Sequence, residues 1–239
     1  MLEKILPGAV ACAEAFGDPS DAVLYPQEEA MISRAVEKRR REFRTVRHCA
    51  RRALRELGLP PAPVLSGAHR EPLWPPGVVG SMTHCAGYRA AAVARSRDLR
   101  TVGIDAEPHE PLPPDVLGTI ALAEEQIQIA GLAAAHSAAH WDRILFCAKE
   151  TVYKAWFPLT HRWLGFSDAA ITIGPTTSDP AEGTFTARLR TAGPTIAGHE
   201  LTGFDGRWLI SDGLVVTAIA VPAAHQKDLW IRSLTSDIW

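Results

Sequence analysis

The segment Phe146–Lys154 places one acid between two lysines in a stretch that is otherwise largely apolar. Glu150 and Lys154 are four residues apart, so on a helix they are neighbours on one face. Lys149 adds a second cation beside them, and neither Lys nor Glu is often buried without a partner. A carboxylate suits a hard divalent cation and an ammonium suits phosphate oxygens. We therefore expect this helix to lie at a site that binds a metal ion and a phosphate.

A second group of acids follows the strand-like pattern of Thr101–Glu107. Apolar residues stand at every second position, so Asp105 and Glu107 share the opposite face. Together with Glu150 they supply three oxygen donors, a set typical of Mg²⁺, and Mn²⁺ accepts the same ligands. Taken alone, the two acids are equally compatible with an ordinary polar strand end.

A third segment, Val79–Cys85, offers groups for an anion. Gly80 and Ser81 permit close approach of the backbone to a ligand. Thr83 and His84 carry a hydroxyl and a ring N–H that can donate to a phosphate. A single histidine is more often structural, and that alternative stays open here.

In this order, the three segments resemble the motifs of the Sfp-type 4′-phosphopantetheinyl transferases, in the actinobacterial branch that includes mycobacterial enzymes. Gly80–His84 is similar to the coenzyme A motif, Gly103–Glu107 to the metal motif and Phe146–Lys154 to the signature helix. The resemblance runs from about Glu28 to about Ala220. It also includes Arg44–Ala50, Glu71–Pro75, Trp141–Leu145, Lys154–Pro158 and Arg162–Phe166.

The resemblance implies an enzyme that moves the phosphopantetheine arm of coenzyme A onto a serine of apo acyl or peptidyl carrier proteins, releasing 3′,5′-ADP. These carriers belong to fatty-acid, polyketide and nonribosomal peptide synthases. It implies metal binding by Asp105, Glu107 and Glu150. It implies that Glu150 is the first choice of general base, that Glu107 is the second, and that Lys149 steadies the leaving group. The implied coenzyme A contacts are Arg39, Arg47, Thr83, His84, Asp105, Glu150 and Lys154.

The chain departs from the family pattern at three positions. Cys147 stands where many relatives have Ser, and Thr151 where they have Ala or Ser; both are small, so we expect no loss of chemistry. Glu71 stands where many relatives have a lysine that contacts coenzyme A. His69 or Arg70 is then the candidate to replace that cation.

The segment Lys38–Arg55 carries nine Lys or Arg residues and raises the alternative of a nucleic-acid-binding module. An apolar stripe through it predicts an amphipathic helix. Arg39 and Arg47 fall near the stripe and should face inward, toward an anion. We expect the remaining arginines to be solvated, or to meet an acidic helix of a carrier protein. The members of this solvated set are Arg40, Arg44, Arg51 and Arg55.

Length and composition favour a globular enzyme without membrane segments. The chain has 239 residues and a formal net charge of −2, which argues against a nucleic-acid module. We expect neither a signal peptide nor a membrane span. Four widely spaced cysteines predict a reducing, cytoplasmic setting without disulfides or zinc. The resemblance implies a monomer. A second alternative, a carrier-docking paralogue without activity, would have lost one of the metal acids or Lys154, and none is missing.

The order of elements predicts an α+β fold in two halves, 1–103 and 104–239, with the site between them. The resemblance adds that the halves are similar and related by a pseudo-twofold axis, each with a long helix on a small, mainly antiparallel sheet. Hairpin turns are predicted at Asp205-Gly206 and Asp212-Gly213. We expect residues after about Ala223 to be mobile. Helices are predicted at 26–58, 114–122, 124–135 and 138–156, and strands at 78–83, 89–95, 101–107, 169–173, 184–190, 207–211 and 215–221.

Overall fold

The protein is represented by a computed structural model that describes residues 1–176, 181–196 and 198–223. Two antiparallel sheets each carry one 20-residue helix, so the predicted α+β class is confirmed. The segment after Ala223, predicted to be mobile, lies outside the described residues. Within the described ranges, every helix is too short or too polar to cross a bilayer.

The first sheet has the strand order β1-β5-β4, and the long helix α2 packs on one of its faces. Ala50, Ala53 and Leu54 of this helix are fully buried against the sheet, because its small and apolar residues recur at helical spacing. The elements of this part are a short 3-10 helix Leu2–Lys4, β1 Ala11–Ala15, α1 Pro26–Met31, α2 Glu37–Glu56, β2 Leu65–Ser66, β3 Pro72–Leu73, β4 Val78–Cys85 and β5 Tyr88–Arg95.

The second sheet has the order β6-β12-β11-β8-β7, with antiparallel neighbours throughout, and carries α5 on one face. Trp141, Trp156 and Trp208 are almost fully buried in the core beneath it. The elements are β6 Leu99–Pro108, α3 Val116–Ile120, α4 Ala123–Ala135, α5 Trp141–Thr160, a 3-10 helix Phe166–Asp168, β7 Ala169–Pro175, β8 Glu182–Leu189, β9 Thr195–Ile196, β10 His199–Glu200, β11 Gly203–Ser211 and β12 Leu214–Pro222.

The two sheets meet where β4 packs beside β6, through side chains rather than a backbone ladder. Ser81 Oγ accepts the amide of Ile104 at 3.1 Å, and Thr83 Oγ1 accepts the amide of Ala106 at 3.2 Å. The boundary predicted at 103/104 falls inside β6, and the division into two similar halves stays a prediction. Asp105 and the hydroxyl of Thr83 are therefore held in contact along this seam.

The predicted helix 26–58 is two helices, and one arginine was assigned to the wrong side of the second. Residues 32–36 separate α1 from α2. Arg51 is buried and donates to the fully buried carboxylate of Glu28 at 2.9 Å, so the expectation that it is solvated was wrong. Burial of the cation is possible because Glu28, on the preceding short helix, supplies the counter-charge.

The two predicted hairpin turns have different outcomes. Asp212 and Gly213 both have positive φ, 53° and 73°, and connect β11 to β12, which confirms the turn. Asp205 and Gly206 instead lie inside β11, so that prediction was wrong. A Cβ at Gly206 would lie 2.1 Å from the Phe185 ring, and the glycine therefore makes room for an aromatic side chain.

Candidate active site

The signature helix α5 packs directly on β6, because Gly103 has no side chain. A Cβ at this position would lie 2.5 Å from the carbonyl oxygen of Thr151. Thr101 Oγ1 also donates to the carbonyl of Ala155 at 3.0 Å. This close approach brings Glu150 and Lys154 beside Asp105, as the i,i+4 spacing and the strand alternation predict.

Asp105 is the centre of the polar cluster, with 5% of its surface exposed. Its Oδ1 accepts two hydrogen bonds, from Lys154 Nζ at 2.7 Å and from Thr83 Oγ1 at 2.9 Å. Its Oδ2 is buried and has no hydrogen-bond partner among the described residues. A buried carboxylate oxygen without a donor is costly, so the geometry favours a cation at this oxygen when ligands are bound.

The electrostatics of the cluster depend on three neighbouring acids. Burial, and then repulsion from Asp105, raises the pKa of Glu150 above its ordinary value. The same two causes raise the pKa of Glu107, although Arg143 opposes them. Burial is the largest single effect on Lys154 and lowers its pKa, but attraction to Asp105, the hydrogen bond to Asp105 and attraction to Glu150 together outweigh it and raise the pKa of the ammonium. Lys154 is therefore charged at neutral pH, and the acids favour an additional positive ion.

Glu107 is held from outside the predicted residue set, by Arg143 at the start of α5. Arg143 Nη1 donates to Glu107 Oε2 at 3.1 Å. Arg143 belongs to the segment Trp141–Leu145, which carried part of the family resemblance but to which no role was given. The only indication in the sequence that Arg143 is functional was its place in that segment. Its spacing from the other predicted site residues indicates no function.

A cleft of about 660 Å³ opens beside this cluster and brings all seven of the predicted coenzyme A contacts together. Arg47 is buried, and burial lowers its pKa to about 10. Its guanidinium stacks on Phe43 at 3.4 Å and donates to Ser66 Oγ at 3.0 Å. The predicted residues that line the cleft are Arg39, Arg47, Thr83, His84, Asp105, Glu150 and Lys154.

His84 lies between two charged side chains of α2. Arg39 Nη1 lies 2.7 Å from His84 Nε2, and because a guanidinium can only donate, Nε2 is the acceptor and Nδ1 carries the proton. That proton points toward Glu42, whose Oε2 lies 3.8 Å from Nδ1. Burial, followed by Arg39, lowers the pKa of His84, so the ring is neutral at pH 7. In this arrangement His84 orients Arg39.

The loop between β2 and β3 forms one rim of the cleft and contains the family departure at Glu71. The carboxylate of Glu71 folds back on its own loop and accepts the amide of His69 at 2.9 Å. His69 packs its ring 5.3 Å from that of Phe157, and Arg70 lines the cleft with a positive φ of 69°. The loop therefore presents His69 and Arg70 beside Glu71.

Lys149 lies away from the cleft, which corrects the prediction that it steadies the leaving group. Its ammonium lies 2.9 Å from Glu125 Oε1 on α4 and donates to the carbonyl oxygens of Phe166 at 2.7 Å and Ala169 at 3.0 Å. Consecutive helical residues point about 100° apart, so Lys149 cannot share the face of Glu150. The geometry assigns it a structural role.

Thr83 reaches the cleft but its hydroxyl proton is already used. It is 3% exposed and bridges the amide of Ala106 to the carboxylate of Asp105. The hydrogen bond from its hydroxyl orients the carboxylate of Asp105. A coenzyme A contact remains a prediction for this residue.

The described residues contain no group of three Asp, Glu, His or Cys side chains already arranged around one metal position. The chemistry of the donors still fits a hard divalent cation: Asp105 has a buried oxygen without a partner, and repulsion from Asp105 acts on both Glu107 and Glu150. Bound metal would relieve this repulsion.

Known protein families match most of this chain. A sequence model described as the 4′-phosphopantetheinyl transferase N-terminal domain matches residues 27–94, and one described as the 4′-phosphopantetheinyl transferase superfamily matches residues 101–201. The second match contains the acids of β6 and the whole of α5.

Curated relatives agree with these matches. The chain is 53% identical to the 4′-phosphopantetheinyl transferase Svp of Streptomyces mobaraensis, over 93% of this chain and 90% of that protein. It is 52% identical to the 4′-phosphopantetheinyl transferase PptT of Mycobacterium tuberculosis, over 92% and 98%. It is 35% identical to enterobactin synthase component D of Salmonella typhimurium, over 64% and 62%.

The family models and the curated relatives define this protein as a transferase, and the acids and cations around its cleft are compatible with phosphate chemistry. The chain belongs to the 4′-phosphopantetheinyl transferase superfamily. The family predicted from the three sequence segments is confirmed.

Proposed function

We propose that this chain transfers the 4′-phosphopantetheine arm of coenzyme A to a serine hydroxyl of apo acyl and peptidyl carrier proteins and releases 3′,5′-ADP. The observation that carries the proposal is Asp105, whose two oxygens are prepared for different cations. One oxygen accepts Lys154, and the other is buried without a partner among the described residues, beside a cleft lined by arginines.

Coenzyme A carries several phosphate charges, and the cleft offers matching cations. Arg39 and Arg47 on α2 and Lys154 on α5 approach it from different elements. Arginine suits this role because its planar donors match phosphate oxygens in pairs. His84 orients Arg39, and Thr83 orients Asp105. Arg70 is the candidate for the cation that the Glu71 departure removes.

The reaction forms one P–O bond and breaks another. The serine oxygen of the carrier attacks the β-phosphorus of the pyrophosphate, the bond from that phosphorus to the bridging oxygen breaks, and 3′,5′-ADP leaves with the electron pair. The serine proton goes to the carboxylate of Glu150. We favour Glu150 over Glu107 as the base, because Arg143 already compensates the charge of Glu107.

Mg²⁺, or Mn²⁺ in its place, would be held by Asp105, Glu107 and Glu150. When bound, the ion supplies charge neutralisation for the pyrophosphate. Lys154 shares that task from the protein side, because its ammonium is charged and lies at the edge of the cleft.

We also propose a cytoplasmic monomer. All four cysteines are buried and unpaired, which suits a reducing compartment. The nucleic-acid alternative loses support, since Arg40, Arg41 and Arg51 of the basic helix form ion pairs with acids. No observation favours the inactive docking paralogue.

The test is the intact mass of an apo carrier protein incubated with the enzyme, coenzyme A and Mg²⁺. We expect a gain of one phosphopantetheine, abolished by EDTA and by Asp105→Asn. Coenzyme A binding by the inactive variant, followed calorimetrically, is the control that its cleft is intact. A mass gain of equal rate with Asp105→Asn would overturn the proposed site, and no gain with several carriers would overturn the proposed function.

A further inference from the structure

All three guanidinium nitrogens of Arg143 donate a hydrogen bond at the end of β6. Nη1 donates to Glu107 Oε2 at 3.1 Å, Nε donates to the carbonyl of Glu110 at 3.0 Å, and Nη2 donates to the carbonyl of Pro111 at 3.0 Å. Its side chain is 13% exposed. A rigid planar fork with three acceptors in fixed directions has little freedom to turn.

The same turn of α5 holds the rest of the segment that leaves β6. Asp142 Oδ2 accepts the amide of Leu112 at 2.7 Å, and the amide of His140 donates to His109 Nε2 at 3.0 Å. Residues 109–112 are thus fixed to the helix that also carries Glu150 and Lys154. Arg143 is the member of this contact set that also touches a predicted metal ligand.

We propose that Arg143 is a positioning residue for Glu107: it reserves one carboxylate oxygen, directs the other toward the divalent cation, and thereby raises the affinity of the site for that cation. The inference rests on the proposed function, since it assigns a role within the same site. Side chains that fix the orientation of a metal ligand typically contribute about 10–100-fold to metal affinity.

Charge alone predicts the opposite effect, which makes the inference testable. Three acids, Asp105, Glu107 and Glu150, face the two cations Lys154 and Arg143, a net charge of −1. Arg143→Gln makes it −2, so a purely electrostatic role predicts tighter binding of a divalent cation. A positioning role predicts weaker binding, because the freed carboxylate of Glu107 can rotate.

The experiment measures Mn²⁺ binding to the full chain by the electron paramagnetic resonance signal of free Mn²⁺, with and without coenzyme A. We expect Arg143→Gln to weaken Mn²⁺ binding by about tenfold or more and to raise the Mg²⁺ concentration for half-maximal activity by a similar factor. Arg143→Lys restores the charge but not the fork, so it should recover only part of the affinity. It also keeps the test informative if the glutamine variant does not fold.

Arg188→Gln is the matched control, because Arg188 is 68% exposed and its ion pair with Glu124 spans 3.6 Å at the surface. Its Mn²⁺ affinity should equal that of the wild type. Unchanged or tighter Mn²⁺ binding by a folded Arg143→Gln variant would overturn the inference, as would an absence of Mn²⁺ binding by the wild type. Failure of the proposed function is seen separately, as a wild-type enzyme that binds Mn²⁺ and does not modify carriers.

Discussion

The buried pair of Lys149 and Glu125 gives a sharp test of the division between structural and catalytic residues on α5. Their charged groups are 2.9 Å apart and their side chains are 2% and 1% exposed. Lys149→Met removes the ammonium and leaves the carboxylate of Glu125 buried, with the amides of Leu122 and Ile171 as its remaining donors. The variant should be strongly destabilised and, where folded, catalytically competent.

The expected loss reflects the cost of stranding one buried charge, about 3–5 kcal/mol in the free energy of unfolding. A domain has about 5–15 kcal/mol in total, so the loss is a large fraction of it. Adding Glu125→Gln removes the stranded charge, although the single amide oxygen can accept from only one of the two amides, Leu122 or Ile171, that now donate to different carboxylate oxygens. The double variant should regain about 1–3 kcal/mol through this coupling.

The assay is urea unfolding of the wild type, Lys149→Met and the double variant. With a slope of about 2–3 kcal/mol per molar urea, the single substitution should move the midpoint by roughly 1–2.5 M. Carrier modification is measured in parallel on the folded fraction, and kcat of the double variant should stay within about twofold of the wild type. A double variant that is folded yet loses activity by about 100-fold would show that Lys149 acts in catalysis and would refute the structural role.

Two further predictions concern the cleft itself. Gly103→Ala should destabilise the protein by about 1–3 kcal/mol and lower kcat, because the new methyl group would meet the carbonyl of Thr151. Thermal unfolding and activity assays measure both effects. Gly118→Ala is the control, because a methyl group there meets no neighbour within 4 Å. In the metal-free protein the carboxyl of Glu150 should have a pKa above the 4.5 of an ordinary glutamate, since burial and repulsion from Asp105 raise it, and bound Mg²⁺ should lower that pKa because the ion relieves the repulsion. Titration of the carboxyl by NMR without and with Mg²⁺ measures both effects, and a pKa that does not fall when Mg²⁺ is added would refute Glu150 as a metal ligand.

Much of the site was predictable because it depends on local periodicity. Alternation along a strand places Asp105 and Glu107 on one face, and i,i+4 spacing places Glu150 with Lys154. Both relations hold within a single element. The order of three such segments was then enough to identify the family, since each segment carries a separate part of the site.

The parts that sequence reasoning missed depend on contacts between distant segments. Arg51 was predicted to be exposed because its partner Glu28 lies 23 residues earlier, and the sequence of α2 gives no indication of that contact. Lys149 was predicted to lie in the cleft because its partner Glu125 is on another helix and the contact cannot be seen in the sequence of α5. Gly206 looked like a turn because a glycine beside an aspartate has the same appearance whether it bends the chain or makes room for Phe185. In each case a contact with a residue distant in sequence, rather than local secondary-structure propensity, determined the position of the side chain or the backbone.

The seam between β4 and β6 has a consequence for spectroscopy. The amides of Ile104 and Ala106 donate to the hydroxyls of Ser81 and Thr83, so their protons are shielded as long as the two sheets stay together. Their hydrogen–deuterium exchange therefore reports separation of the sheets, while amides inside the β11–β12 hairpin report unfolding of one sheet. The exchange rates of the Ile104 and Ala106 amides can thus report transient separation of the two sheets without any label placed in the cleft.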